Sequence, residues 1–113
     1  MAVRASAETV GAVNAEVLAA LGEEGHLINI SRGSVVDEEA LADALEQGVI
    51  AGAALDVFAR EPEVPERLRS QANLVLSPHV AANAASAQTA QQQVMLANIA
   101  AMLNGGELRN RIA

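Results

Sequence analysis

The fold is decided by residues 25–41, which read Gly25-His26-Leu27-Ile28-Asn29-Ile30-Ser31-Arg32-Gly33-Ser34-Val35-Val36-Asp37-Glu38-Glu39-Ala40-Leu41. A short apolar run ends at a polar Ser-Arg-Gly-Ser segment, and a helix is predicted to follow, with Asp37 as its N-cap and two glutamates in its first turn. This order indicates a strand, a tight loop and a helix. In a parallel sheet such a loop lies at the carboxyl edge, where doubly wound folds bind ligands, so Arg32 is the first candidate functional residue.

The rest of the chain alternates in the same way between short apolar runs and amphipathic segments. Strands are predicted at about residues 1–3, 26–30, 49–58 and 73–77. Helices are predicted at residues 15–21, 38–47, 66–70 and about 83–103. The pattern predicts an α/β fold, with a parallel sheet of about four strands, right-handed crossover helices and a long C-terminal helix.

Composition excludes several classes of function. The chain has 113 residues, which is at most one domain, and a net charge of −7. Nucleic acids and anionic membranes both need a basic face, so neither is an expected partner. There is no cysteine, which is compatible with a reducing cytoplasm. No apolar run reaches membrane-spanning length, and no metal site is predicted.

Polar side chains follow three successive predicted strands. Arg32 follows the second strand, Asp56 and Glu61 follow the third, and His79 follows the fourth. The carboxyl ends of parallel strands meet at one edge of the sheet, so these side chains can converge. A histidine can transfer a proton near neutral pH, a carboxylate can orient it, and an arginine can bind a substrate carboxylate bidentately. This set of groups suits the reduction of a 2-oxo acid.

Three motifs resemble the second half of the cofactor domain of NAD-dependent D-2-hydroxyacid dehydrogenases, in the order found in that family. They are Leu-Ile-Asn-Ile-Ser-Arg-Gly-Ser-Val-Val-Asp-Glu-Glu-Ala-Leu, Ala-Gly-Ala-Ala-Leu-Asp-Val-Phe-Ala-Arg-Glu-Pro and Leu-Ser-Pro-His-Val, and the match runs from about residue 8 to residue 104. The resemblance implies half of a Rossmann-type doubly wound domain. It also implies hydride transfer between NAD or NADP and a small 2-oxo or 2-hydroxy acid.

The resemblance further implies a role for each polar residue. Arg32 would bind the substrate carboxylate, His79 would be the general acid and base, and Glu61 would be its carboxylate partner. Asp56 would hydrogen-bond the nicotinamide carboxamide. The residues that would line the cofactor are Ile30, Ser31, Arg32, His79, Val80, Ala81 and Ala82.

Other features of that family are missing from the sequence. The G-x-G-x-x-G turn and the acidic residue that follows it by about twenty positions are absent, as is any substrate domain. The first loop reads Arg4-Ala5-Ser6-Ala7 where the family usually carries proline. We therefore interpret residues 1–104 as half of a cofactor domain, truncated at its N-terminus, and residues 105–113 as a tail.

Two functional hypotheses follow, and each candidate residue also has a purely structural interpretation. The chain is either part of a dehydrogenase, with little or no turnover alone, or a non-catalytic half-domain that forms a homodimer through an exposed edge strand and apolar surface. A weaker third possibility is that two copies together form a nucleotide crevice. Structurally, Arg32 and Glu61 would be solvated loop charges, Asp56 a turn former and His79 a cap of the long helix.

Overall fold

Three parallel strands form the centre of the fold in the computed structural model, which describes residues 1–110; residues 111–113, the end of the predicted tail, lie outside the described residues. The strands are β1 (His26–Asn29), β2 (Gly52–Leu55) and β3 (Leu74–Leu76), and they lie in the order β1-β2-β3. Their parallel register pairs Asn29 with Leu55 and Leu55 with Leu76, so all three strands end at the same edge. The α/β class and the parallel sheet predicted from the sequence are confirmed.

The predicted number of about four strands is wrong for the described residues, which contain three. Residues 1–3 were expected to form a strand, but only Met1 hydrogen-bonds to the sheet. Its carbonyl oxygen accepts a bond from the amide of Ile30 at 3.3 Å, and its amino group donates to the carbonyl of Ile28. A ladder needs repeated pairs of this kind, and here a single residue contributes them, so no strand forms.

Two helices follow the sequence signals at their ends. In α1 (Ala15–Leu21), the Asn14 side chain accepts a bond from the amide of Val17 at 3.1 Å, and Gly22 ends the helix with a φ of 80°. In α2 (Glu38–Glu46), the Asp37 carboxylate accepts bonds from two amides of the first turn, each at 3.1 Å. Both caps satisfy amide groups that a helix end otherwise leaves unpaired.

The hydrophobic core lies on one side of the sheet only. The side chains that are almost fully buried there include Leu18, Leu41, Leu45, Ile50, Leu55 and Leu68. On the other side, Ile28 and Val75 flank Ala54 in register and are 54% and 68% exposed. One face of the sheet is therefore packed, whereas the other presents apolar side chains to solvent.

An arginine joins α2 to the short helix α3 (Glu66–Arg69). The guanidinium of Arg67 lies 2.8, 2.6 and 2.8 Å from the carboxylates of Glu39, Asp43 and Glu46. These carboxylates, with that of Glu46 contributing most, raise the pKa of Arg67 above its already high ordinary value. The cluster fixes the segment that leads into β3.

A second compact unit begins at Ala82. It contains α4 (Ala85–Leu103), which has no charged residue and no buried residue. After α4, the amide of Arg109 donates to Oδ1 of Asn98 at 2.8 Å, and Nδ2 of Asn98 donates to the carbonyl oxygen of Arg109 at 3.0 Å. Within the described part of the chain, no helix combines the length and the apolar character needed to cross a membrane.

Candidate active site

The loop after β1 carries Arg32 and is held by hydrogen bonds to the side chain of Asn29. This side chain is fully buried, and its Oδ1 accepts bonds from the amide and the hydroxyl of Ser31 at 3.0 and 2.7 Å. Its Nδ2 donates to the carbonyl oxygen of Arg32 at 3.0 Å. The exposed Arg32 therefore projects from a loop whose backbone is anchored in the sheet.

The loop after β2 carries Glu61, which connects two parts of the site. Its Oε1 accepts a bond from the amide of Phe58 at 3.0 Å, and its Oε2 lies 2.9 Å from Nδ1 of His79. The same loop is tied to the start of α2, because the amide of Ala59 donates to the carboxylate of Glu38 at 2.7 Å. Glu61 is thus fixed at one oxygen and pairs with the imidazole through the other.

The loop after β3 carries His79 and is held by Asp56, whose side chain is buried. The Asp56 carboxylate accepts bonds from the hydroxyl of Ser77 at 2.6 Å and from the amides of Val80 and Ala81 at 2.8 and 2.9 Å. The amide of His79 donates to the Asp56 carbonyl at 2.8 Å. These bonds hold His79 in the left-handed region at a φ of 53°, which non-glycine residues seldom occupy.

Gly33 allows the first two loops to touch. A Cβ at this position would lie 1.9 Å from the carbonyl carbon of Phe58 and 2.1 Å from its oxygen. Only a residue without a side chain permits such an approach. The turn beside Arg32 therefore lies directly against the backbone of the loop that carries Glu61.

Arg32, Glu61 and His79 line one pocket of about 470 Å³, together with Gly33, Phe58 and Ala5. A second pocket of about 550 Å³ is lined by residues 2–5 and residues 30–32, so both pockets share Ala5 and Arg32. The convergence of these three side chains, which are far apart in sequence, agrees with the expectation for the ends of parallel strands. The interpretation of His79 as a helix cap is wrong, because α4 begins at Ala85 and its N-cap, Ala84, makes no side-chain bond.

Hydrogen bonds favour the ionised form of both carboxyl groups. The bond to His79 is the main cause that lowers the pKa of Glu61, and the amide of Phe58 and the charge of Arg32 act in the same direction. The hydroxyl of Ser77 is the main cause that lowers the pKa of Asp56. Both groups are therefore carboxylates at neutral pH.

This arrangement defines the tautomer of the histidine. Because the Glu61 carboxylate only accepts hydrogen bonds, Nδ1 of His79 carries a proton and donates a hydrogen bond to Oε2 of Glu61. The other ring nitrogen, Nε2, is then the one that can exchange a proton with a bound molecule. A guanidinium and a proton-donating imidazole at the same pocket can bind a carboxylate and protonate an oxygen near it.

The remaining predicted site residues differ in their surroundings. Ile30 is half exposed, Ser31 is buried, and the amides of Val80 and Ala81 are already bonded to Asp56. Ala82 is the first residue of the second unit. The described residues contain no group of three or more histidine, aspartate or glutamate side chains arranged to hold a metal ion.

Sequence reasoning missed three residues that hold the loops in place. They are Asn29, Glu38 and Ser77, each of which bonds a neighbouring loop or carboxylate. Asn29 offered the one available signal, because a polar residue inside an apolar strand must be hydrogen-bonded if it is buried.

The lowered pKa of Asp56 predicts that folding stability depends on pH. At neutral pH the group is ionised in folded and unfolded chains, and its stabilisation is complete. As the pH falls through its ordinary value of 3.8, unfolded chains take up the proton first, so stability is lost until the lower pKa of the folded state is passed. We expect Asp56→Asn to lower the urea midpoint at neutral pH and to reduce its dependence on pH between about pH 5 and pH 2.

Urea unfolding followed by far-UV circular dichroism measures this effect. Glu63→Gln is the matched control, because Glu63 is exposed and the variant removes a carboxylate from a neighbouring loop while leaving the bonds of Asp56 to Ser77, Val80 and Ala81 in place. Equal pH dependence in Asp56→Asn and the unmodified chain would contradict the prediction.

Known proteins share both the sequence and the fold. Residues 1–81 match the family described as D-isomer specific 2-hydroxyacid dehydrogenase, NAD binding domain. Hydroxyphenylpyruvate reductase of Plectranthus scutellarioides is 46% identical over 101 residues, which are 89% of this chain and 32% of that protein. The chain thus spans about a third or less of the length of the curated relatives that it matches.

Two solved structures superpose closely. The NADPH-dependent glyoxylate/hydroxypyruvate reductase of Sinorhizobium meliloti, in complex with NADP and malonate, has a TM-score of 0.88 at 48% identity, over 99% of this chain and 35% of that one. A putative D-isomer specific 2-hydroxyacid dehydrogenase of Polaromonas sp. has a TM-score of 0.91 at 31% identity, over 97% of this chain and 34% of that one. The match to the family profile covers well over half of the chain. The chain therefore belongs to the D-isomer specific 2-hydroxyacid dehydrogenase family and carries sequence of its NAD-binding domain.

Proposed function

We propose that this chain supplies the substrate-binding arginine and the acid–base pair for the NAD(P)-dependent reduction of a small 2-oxo acid to a 2-hydroxy acid. One observation carries the proposal: Arg32, Glu61 and His79, from three different loops, line one pocket, and Glu61 bonds His79 at 2.9 Å. The relatives named as glyoxylate or hydroxypyruvate reductases support a substrate of this size.

Each of the three side chains has a definite part in the reaction. The guanidinium of Arg32 binds the substrate carboxylate through two parallel hydrogen bonds and so fixes the carbonyl group beside His79. Nε2 of His79 donates its proton to the carbonyl oxygen as that oxygen gains negative charge, and the ring becomes neutral with its remaining proton on Nδ1. The Glu61 carboxylate stabilises the imidazolium before transfer and keeps the ring oriented. The reverse reaction uses the same groups with the proton moving back to Nε2.

The residues present fit the nicotinamide part of a cofactor. The 550 Å³ pocket at residues 2–5 and 30–32 adjoins the catalytic pocket, which is the 470 Å³ pocket lined by Arg32, Glu61 and His79, because both pockets include Ala5 and Arg32. The 550 Å³ pocket is large enough for a nicotinamide ring and its ribose. When bound, the nicotinamide supplies the hydride that adds to the carbonyl carbon. We propose that Ile30, Ser31, Arg32 and residues 79–82 line this cofactor. We further propose that the Asp56 carboxylate, which already accepts bonds from Ser77, Val80 and Ala81, also hydrogen-bonds the nicotinamide carboxamide. The phosphate-binding glycine turn is absent from this sequence, so we propose that the chain alone has little or no turnover.

Arg32→Ala tests the carboxylate-binding role. The test uses a chimera in which the 113 residues replace the aligned segment of the S. meliloti reductase, which is 48% identical to this chain and superposes on it with a TM-score of 0.88. In this chimera we expect Arg32→Ala to raise the KM for glyoxylate about 10- to 100-fold, because a charge-assisted bidentate pair contributes about 1.5–3 kcal/mol. The rate of NADPH oxidation at varied glyoxylate measures it.

Arg60→Ala is the matched control for this variant. Arg60 is an exposed arginine of the neighbouring loop that does not line the catalytic pocket, so its removal should leave KM unchanged. A KM for Arg32→Ala within twofold of the unmodified chimera would contradict the assigned role.

A second function, self-association, is favoured by the open face of the sheet. In the row formed by Ile28, Ala54 and Val75, Ile28 and Val75 are exposed and Ala54 is half-buried. We propose a homodimer in which a second copy covers this row, and light scattering of the isolated chain distinguishes it from a monomer. A chain that stays monomeric at high concentration would contradict self-association without affecting the catalytic proposal.

The cytoplasmic location expected from the sequence stays a prediction.

A further inference from the structure

Asn29 occupies a position where an apolar residue would suffice for packing. It is the last residue of β1, its side chain is fully buried, and its register partner across the sheet is Leu55. Burying an amide is costly unless its hydrogen bonds are made. The Asn29 side chain makes three hydrogen bonds, all of them to Ser31 and Arg32. The amide and the hydroxyl of Ser31 donate to Oδ1, and Nδ2 donates to the carbonyl oxygen of Arg32.

The chemistry of these bonds requires a carboxamide. The Ser31 amide can only donate, so it needs an oxygen, and the Arg32 carbonyl can only accept, so it needs an N–H group. Aspartate would place an oxygen against the Arg32 carbonyl, whereas leucine would satisfy neither partner. The backbone of Asn29 is itself fixed, because its carbonyl accepts the amide of Asp56 at 3.0 Å.

These bonds fix the backbone conformation of Arg32, from which its guanidinium projects. Arg32 is held in an extended conformation, with a φ of −144° and a ψ of 146°, and its Nη1 donates to the Ser31 carbonyl at 2.6 Å. Both the backbone of Arg32 and the carbonyl that its guanidinium contacts belong to the segment that Asn29 holds. We propose that Asn29 is a positioning residue that holds the Ser31–Arg32 backbone so that the guanidinium faces the substrate carboxylate; the carboxylate part rests on the proposed function.

The test uses the full 113-residue chain and needs no turnover. Asn29→Leu removes all three bonds at similar volume, Asn29→Asp removes the bond to the Arg32 carbonyl, and Ser31→Ala removes only the hydroxyl bond and is expected to keep the fold. Leu18→Ala is the control, because it destabilises the core from α1, away from the loop. Two NMR measurements are made: amide hydrogen exchange of Ser31, and the response of the Arg32 Nε–H signal to oxamate, an unreactive analogue of a 2-oxo acid.

The expected result is a local effect on the loop. At matched global stability, the protection of the Ser31 amide should fall about tenfold in Asn29→Leu and about threefold in Ser31→Ala relative to Leu18→Ala. The dissociation constant for oxamate should rise about tenfold in Asn29→Leu and in Asn29→Asp, and less than twofold in Leu18→Ala. Should Asn29→Leu fail to fold, Ser31→Ala and Asn29→Asp provide the same comparison.

Two outcomes separate this inference from the proposed function. Equal Ser31 protection in Asn29→Leu, in Ser31→Ala and in Leu18→Ala would overturn the positioning role. Loss of that protection in Asn29→Leu, with no response of Arg32 to oxamate in the unmodified chain, would support the positioning of the loop and contradict the carboxylate-binding role of Arg32.

Discussion

His79→Gln is expected to lower kcat of the chimera with the S. meliloti reductase by about 10²- to 10⁴-fold, with little change in the KM for glyoxylate. Glutamine is similar in length, and its NH₂ group can still donate a hydrogen bond to the Glu61 carboxylate, which lies 2.9 Å from the imidazole, but the amide is not acidic and cannot transfer a proton to the substrate oxygen. Binding by Arg32 is unaffected, so the loss falls on the chemical step. Steady-state rates of NADPH oxidation at varied glyoxylate separate the two constants.

The other histidine of the chain is the control for this variant. His26 is exposed at the start of β1, and Nδ1 of its ring lies at hydrogen-bond distance, 3.2 Å, from the carbonyl oxygen of Glu24. His26→Gln should therefore retain full activity. A His79→Gln chimera that keeps more than about a tenth of the unmodified kcat would contradict the assignment of His79 as the general acid.

Gly33→Ala is expected to destabilise the fold by about 3 kcal/mol or more. The added methyl group would lie 1.9 to 2.3 Å from three backbone atoms of Phe58 and Ala59, and backbone atoms, unlike the end of a flexible side chain, cannot move aside cheaply. Relief requires that the loops carrying Arg32 and Glu61 separate. The pocket lined by Arg32, Glu61 and His79 should therefore be lost together with stability. Urea unfolding followed by circular dichroism measures the change in stability.

Gly106→Ala is the control for the added methyl group. A Cβ at Gly106 would meet its nearest atoms at 3.5 Å, an ordinary contact, so its effect should stay within about 0.5 kcal/mol. A free energy of unfolding for Gly33→Ala within about 1 kcal/mol of the unmodified chain would show that the two loops are not in the close contact described here.

Local sequence signals predicted the helices well because each helix end depends on neighbouring residues. Asn14 and Asp37 cap α1 and α2 as expected, and Gly22 and Gly48 adopt positive φ values of 80° and 68° just after them. Such ends are satisfied within one turn of the chain, so no distant contact is needed to identify them.

Strand limits were predicted less well because they depend on pairing. The apolar run at 49–58 gave a predicted strand of ten residues, whereas β2 comprises only Gly52–Leu55. Uniformly apolar segments have no periodicity that marks where a ladder begins, and the neighbouring strands β1 and β3 are four and three residues long. Residues beyond the reach of these partners leave the sheet, even though Ile50 and Val57 remain buried.

In the candidate site, too, local features could be predicted from the sequence and long-range contacts could not. Arg32, Glu61 and His79 were predicted because their chemistry and their places after strands are visible in the sequence, and the structure brings them to one pocket. The bonds that hold their loops were not predicted, because Ser77 to Asp56 spans 21 residues and Glu38 to Ala59 spans another 21. Contacts of this range exist only after the sheet has aligned the loops.

The most direct test of the account is NADPH-dependent glyoxylate reduction by the chimera that carries the unmodified 113 residues in the S. meliloti reductase. If Arg32, Glu61 and His79 form a competent site, the chimera reduces glyoxylate at a rate within about tenfold of the parent enzyme, and His79→Gln abolishes most of that rate. A chimera that folds and binds NADPH but shows no turnover would contradict the claim that this chain carries the catalytic groups of a 2-hydroxyacid dehydrogenase.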